Sequence, residues 1–408
     1  MYIFFLIIVL ANIIVFLSKK RYFDFLTIYN LLLILYNSAT IFGLVYIPST
    51  GQFEKPNDYI YLISAFPFIF STFFLLKKQP IQNVKKMQLI NKKFSSDSRF
   101  FILGNLLLFL FFIVFFNSIN IALNSSTKQE LLENSNSLSL VLTCVAPLGV
   151  IISYLTKRKK ILYIFFILTI ILFLFGGRGR LVAVVLCFLL VYMYNKPLKI
   201  WSNRLLMAGG VLGLFVIILG KRLYGYILGY GLIDGSIKWY NDFDQRFFLT
   251  GSEFVTNSAI LNAVIDRDFS VGWEDVFTSL FSILPIPVSV FGFDSGVFND
   301  RFQRVLFSDI EYGMAYNIWA EGYSWLGLPG VVLFGFLIPF LLFKLWGVYN
   351  RYPNSIIGVI AILIGFILAF WIHRNSLGTI LANIRNTLYP AVIIWFLAVF
   401  FTKLKFRR

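Results

Sequence analysis

Five residues, Gly176-Gly177-Arg178-Gly179-Arg180, join two apolar runs, Ile161–Phe175 and Leu181–Tyr194, of 15 and 14 residues. Arginine presents a planar fork that grips a phosphate through paired hydrogen bonds. Glycine lets the backbone turn tightly and approach a ligand. Both flanking runs are short for a membrane span, which needs about 20 apolar residues. Two ionisable groups are therefore expected below a membrane surface or in a cavity, where such groups are usually functional. Arg180 opens the second run, and a helix N-terminus already carries partial positive charge. A cation there is unfavourable until an anion binds, so the motif predicts a phosphate or pyrophosphate site. The competing reading is an ordinary hairpin turn whose arginines reach lipid headgroups. A nucleotide loop is excluded, because the strand context and the Gly-Lys-Ser/Thr ending are both missing.

Other residues suit the same chemistry. Arg385, in Asn383-Ile384-Arg385-Asn386, is expected at the outer start of the last helix, again against the helix dipole. Arg222, after Lys221, and Arg374, after His373, are expected at outer helix ends, where capping alone would also explain a cation. His373 is the only histidine and could exchange a proton near neutral pH, though a lone histidine at a helix end also serves as a cap. Glu321, in Ala320-Glu321-Gly322-Tyr323, is expected to act as a base or, preferably, to orient an arginine. Asp242-Phe243-Asp244 and Asp266-Arg267-Asp268 resemble metal-binding carboxylate pairs. In so acidic a loop such pairs arise by chance, and no metal or other cofactor is expected.

The elements that must hold these residues follow from composition. Of 408 residues, 59% are hydrophobic and 13% charged, with mean hydropathy +0.80. Soluble domains carry about 25% charged residues, so lipid is the expected solvent. The net charge of +17 sits in short clusters between apolar runs, which orients a membrane protein and argues against nucleic acid. Cys144 and Cys187 lie inside apolar runs without ligand spacing and are expected as core residues. Met1 to Leu17 lacks the marks of a cleaved signal and is expected as a retained helix.

The fold class expected is an all-α polytopic integral membrane protein with about eleven spans. They are placed near 1–17, 25–46, 58–76, 100–121, 137–155, 161–177, 180–194, 205–220, 326–343, 354–372 and 387–402. Alternate connections hold 23 basic residues against 13, so the richer set is cytoplasmic, the N-terminus outside and the C-terminus inside. The organisation is then spans 1–8 over 1–220, an extracytoplasmic cap over 221–325, and spans 9–11 over 326–408. Thirteen acids fall between Asp234 and Glu321, in a segment too long for a simple connector. Within it, Ser252-Glu253 opening Phe254–Ile265 predicts a helix, and Trp273–Val290, with Pro285 and Pro287, predicts a broken helix in the membrane interface. The outer face holds nine arginines and four lysines, the inner face seven and sixteen. Orientation asks only for charge, so the outer preference for arginine points to anion recognition, with pairing to the cap's acids as the competing explanation.

The layout resembles the Wzy-type O-antigen or capsular polysaccharide polymerases, the oligosaccharide repeat-unit polymerases. Three stretches carry the resemblance: 175–181 with its Gly-Gly-Arg-Gly-Arg, 313–330 with Ala-Glu-Gly-Tyr-Ser-Trp, and 373–378, His-Arg-Asn-Ser-Leu-Gly. The resemblance implies a donor and an acceptor on undecaprenyl pyrophosphate, a location in the cell inner membrane, and a chain-length regulator as a partner. The growing glycan leaves its pyrophosphate carrier and joins a sugar hydroxyl of the next unit. Arg178, Arg180, Arg222, Arg374 and Arg385 would meet the charge developing on that leaving group, with no metal required. O-antigen ligases share this chemistry and use a histidine, so His373 keeps that alternative open. A lipid-linked oligosaccharide flippase is the alternative from another class, but no repeated halves are seen.

Overall fold

The computed structural model describes residues 1–19, 23–47, 50–77, 97–123, 137–174, 178–195, 234, 237–238, 253–286, 288–292, 298–308, 316–353 and 355–405. The expected eighth span, Arg222 and the Asp242/Asp244 pair lie outside these residues, as do the side chains of Arg178 and Arg180. In chain order the helices are α1 (Tyr2–Ser18), α2 (Phe25–Tyr36), α3 (Ser38–Ile41), α4 (Asp58–Leu76), α5 (Ser98–Leu123), α6 (Ser137–Leu155), α7 (Lys159–Leu174) and α8 (Arg178–Asn195). Then come α9 (Glu253–Asp266), α10 (Trp273–Phe281), α11 (Phe298–Leu306), α12 (Ile318–Leu326), α13 (Leu328–Arg351), α14 (Ile356–Phe366) and α15 (Leu377–Lys405).

Among the described residues four helices are long and apolar enough to cross a membrane: Asp58–Leu76, Ser98–Ile121, Leu328–Arg351 and Leu377–Leu404. Shorter apolar helices, including Tyr2–Ser18 and Ile356–Trp371, pack among them. Their polarity is reversed relative to a water-soluble bundle. On α1 the side chains of Ile3, Ile7 and Ile14 point outward while Asn12 is buried, donating to Thr72 Oγ1 of α4 at 2.9 Å. An apolar exterior over an apolar core that also holds polar contacts suits lipid as solvent. The architecture is that of an all-α membrane protein.

Packing divides the helices into two groups. One joins α1, α2, α4 and α13; the other joins α5, α6, α7, α8 and α15. Helix α14 touches α13 on one side and α6, α8 and α15 on the other, and so bridges them. The helix starts are built from short polar side chains. Asp24 caps α2 by accepting from the Thr27 N–H at 2.8 Å, and Ser355 caps α14 through the Gly358 N–H at 3.2 Å.

Three expectations change. The span expected over 25–46 breaks at Asn37, whose side chain turns back to the Leu33 carbonyl at 2.8 Å. Its far end is a strand, β1 (Val45–Ile47), pairing antiparallel with β2 (Gln52–Glu54), a small exception to the all-α class. The β-branched and aromatic residues Val45-Tyr46-Ile47 and the nearby Gly51 turn override the apolar run that suggested helix. The last helix begins at Leu377, ten residues before the expected start at 387, because Ser376 and Glu321 cap it there.

The expected helix after Ser252 is α9. The expected broken helix is α10, followed by a single 3-10 turn at Val288–Phe291. Asp266 is held by two amides. Its Oδ1 accepts from Asn57 Nδ2 at 2.8 Å and its Oδ2 from Asn262 Nδ2 at 2.6 Å, which ties α9 to the start of α4. No cluster of metal-ligating side chains occurs among the described residues.

Candidate functional site

The turn between α14 and α15 gathers most of the candidate residues that the structure describes. Helix α14 widens into a π-helical turn, Ile367–Trp371, a distortion often found at functional sites. The Trp371 carbonyl then accepts from the N–H groups of Arg374 and Asn375 at 3.1 and 3.0 Å, which folds the chain back. Ser376 starts α15: its Oγ accepts from the Thr379 N–H at 3.2 Å.

Glu321 reaches this same helix start. It is fully buried in α12, and its Oε2 accepts from the Leu377 N–H at 2.8 Å. Asn317 fixes α12 by capping it, its Oδ1 accepting from the N–H groups of Trp319 and Ala320 at 2.9 and 3.1 Å. Packing then leaves little freedom: Gly330 of α13 sits so close to the Gly322 carbonyl that any side chain there would collide with backbone. Burial pushes the Glu321 carboxyl up to about 8, although the Leu377 N–H and the Tyr316 and Ser279 side chains favour its charged form. The expected arginine partner is replaced, among the described residues, by a backbone N–H. Such contacts to main chain leave no mark in residue types.

His373 is buried in the turn, its ring flanked by Tyr29 at 4.9 Å and Tyr36 at 5.8 Å between centroids. Its Nε2 has no hydrogen-bond partner among the described residues. Burial lowers its pKa to about 3, against a hydrogen bond with the Tyr29 backbone that acts the other way, so the ring stays neutral. The His373 carbonyl accepts from Asn257 Nδ2 at 2.7 Å. The same nitrogen donates to the Tyr316 carbonyl, and Asn317 Nδ2 donates back to the Asn257 carbonyl at 2.9 Å. Asn257 thus clamps the entry to α12, which carries Glu321, onto the His373 turn. Sequence reasoning missed Asn257; its signal was a buried amide inside the apolar run of α9.

The arginines fall differently. Arg374 lies over the Trp371 ring, 5.1 Å from its centroid. Trp371 in turn packs on Gly179, where an added Cβ would lie 2.7 Å from the ring. Helix α8 starts at Arg178, two residues before the expected opening at Arg180, and this contact places it against the same turn. Arg385 corrects its expectation. It sits about 12 Å along α15 from Leu377, at 1.5 Å per residue, and not at the helix start. It bonds Asn386 Oδ1 at 3.2 Å and the Leu284 carbonyl at 3.3 Å, beyond the end of α10. Gly378 allows α10 to close on α15, with Ser279 Cα 3.3 Å from where a Cβ would stand.

Comparison with family models, with characterised proteins and with solved structures returns no match.

Proposed function

We propose that this chain joins undecaprenyl-pyrophosphate-linked oligosaccharide repeat units at the outer face of the inner membrane, extending an O-antigen or capsular polysaccharide. Eleven spans, an outside N-terminus, a cytoplasmic C-terminus and an extracytoplasmic cap over 221–325 belong to the same reading. Its main support is a convergence: the three stretches that carry the family resemblance meet at one turn. Gly179 touches Trp371 beneath Arg374, and Glu321 bonds Leu377.

In this mechanism a sugar hydroxyl of the acceptor attacks the anomeric carbon of the donor glycan. The bond to pyrophosphate breaks, and the electron pair leaves with undecaprenyl pyrophosphate. Arg178, Arg180, Arg222, Arg374 and Arg385 meet that charge. The hydroxyl proton needs a base. Glu321, titrating near about 8, suits that task better than His373, which burial keeps neutral.

The test is the cell-surface glycan after deletion of the gene. Loss of long chains with one repeat unit retained is expected. Loss of every repeat from the final acceptor would instead indicate a ligase, and complete units trapped on the inner leaflet a flippase.

A further inference from the structure

Helix α10 is built inside out. Its nine residues bury Asp275, Thr278 and Ser279, with Asp275 5% and Ser279 3% exposed, and Ser282 just beyond is also buried. Most of its apolar residues point away from the protein: Trp273 is 64% exposed and Phe277 and Leu280 43% each, with Val276 the one that is buried. The same side continues past the helix through Ile283 and Ile286 to Val290, 69% exposed, and Phe291. A helix lying on a protein in water does the reverse, burying the apolar stripe and showing hydroxyls and carboxylates to solvent.

The inward face is occupied by specific partners. Asp275 pairs with Arg301 of α11 at 2.6 Å, Ser282 Oγ donates to the Thr278 carbonyl at 2.9 Å, and Ser279 lies against Gly378. Ser279 also adjoins the Glu321 carboxyl. The polarity is therefore fixed by contacts, and rotating the helix would bury a stripe of hydrocarbon against them. Helix α10 packs on α15, which is long and apolar enough to cross a membrane and shows Ile393, Phe396 and Phe400 on its own outside.

We infer that α10 and the segment to Phe291 lie on the bilayer, with Trp273, Leu280, Ile283, Ile286, Val290 and Phe291 in lipid hydrocarbon and the Glu321 site on the opposite face. Helix α10 is then the partition between lipid and site, about one helix diameter, or roughly 10 Å, thick. A reactant tethered to a lipid tail could keep the tail in the bilayer while its polar end reaches Glu321 and the start of α15. The inference does not depend on which reaction the site performs.

Full-length protein in phosphatidylethanolamine and phosphatidylglycerol vesicles provides the test. Nitroxide labels are attached singly at Leu280→Cys, Ile286→Cys and Val290→Cys, in a background without the native cysteines. A control label at Arg267→Cys occupies the exposed turn after α9. Collision with oxygen, which partitions into lipid, is expected to exceed collision with a water-soluble nickel chelate at the three positions, with the order reversed at the control. Chelate access at the three positions would overturn the inference. So would exclusion of both reagents, since protein and not lipid would then cover the face. Quenching by bromine-labelled phospholipid, compared between the native chain and Trp273→Phe, reads the same surface without any added label. Substitution should remove a quenched component, and an unchanged quenched fraction would overturn the assignment.

Discussion

Two helix starts face the same turn and are built in opposite ways. At α15 the protein supplies its own acceptors: Glu321 accepts from the Leu377 N–H, and Ser376 caps the next turn. At α8 the first turn holds Arg178 and Arg180 and no acid. A helix N-terminus favours negative charge, so the first start is satisfied internally while the second accumulates positive charge that an incoming anion would relieve. Under the proposed function, the difference separates a scaffold from a receptor. Glu321 holds the α14–α15 turn in place, and α8 presents its start beside that turn through the Gly179–Trp371 contact. The candidate arginines are therefore not equivalent. Arg385 is engaged with the Leu284 carbonyl and Asn386, and Arg374 lies on Trp371, within the wall of the turn.

Removing the receptor charge should have the largest effect. Arg178→Ala and Arg180→Ala are each expected to lower polymer formation by about 10²–10³. The corresponding lysine variants should recover only part of it, because lysine keeps the charge and loses the fork. Glycan chain length at matched protein level is the measurement. Normal ladders from all four variants would erase the contrast between the two helix starts.

Removing the internal acceptor should damage the scaffold. Glu321→Ala leaves the buried Leu377 N–H without its acceptor, a loss of about 1–3 kcal/mol in stability, plus the packing of the side chain. The thermal unfolding midpoint of the purified protein should fall, and Glu321→Gln, which keeps an acceptor, should stay close to the native value. The two differ in pH response. Burial raises the Glu321 carboxyl from its ordinary 4.5 to about 8 in the folded chain. The folded state thus holds a proton that the unfolded state releases. Stability from this group is complete below about pH 4.5 and declines as pH rises towards 8, with a slope of up to about 1.4 kcal/mol per pH unit. Glu321→Gln should flatten that decline. An equal slope in both proteins would show that Glu321 is not the group responsible.

Asn257→Ala is expected to cost about 1–3 kcal/mol by leaving buried carbonyls at Tyr316 and His373 unpaired. Asn257→Asp should be worse, since it sets a carboxylate against those oxygens. Protease sensitivity of the α12 and 371–378 regions would report the loosening, and unchanged cleavage in both variants would remove Asn257 from the scaffold. The smallest effect belongs to Gly179→Ala. Its methyl group would meet the edge of Trp371 at 2.7 Å, a side-chain contact that can yield. A penalty of about 1 kcal/mol and a modest shortening of the glycan are expected. Full-length polymer would mean that α8 and the turn need not stay in register.

Much of this architecture was legible from one-dimensional rules. Apolar run length located α4, α5, α6 and α7 closely and the start of α13, which runs eight residues past its expected end, because backbone polar groups in lipid must be satisfied within the segment itself. Ser252-Glu253 correctly announced α9 and the prolines after Phe281 the break in α10, since caps and proline act through local backbone chemistry. The start of α8 was legible to within two residues, expected at Arg180 and found at Arg178.

What tertiary structure decided was partnership. That Glu321 would end on a backbone N–H 56 residues away, and not on an arginine, follows from the packing of α12 against α13 and of α10 against α15. Arg385 was misplaced because the true start of α15 is set by that distant carboxyl and Ser376, which no apolar count records. The burial of His373 between Tyr29 and Tyr36 needed α2 to break at Asn37 and the π turn to widen α14. Hydropathy is summed along the chain and so fixes which segments prefer lipid. Hydrogen bonds and ring contacts depend on which segments meet, and that choice belongs to the folded molecule.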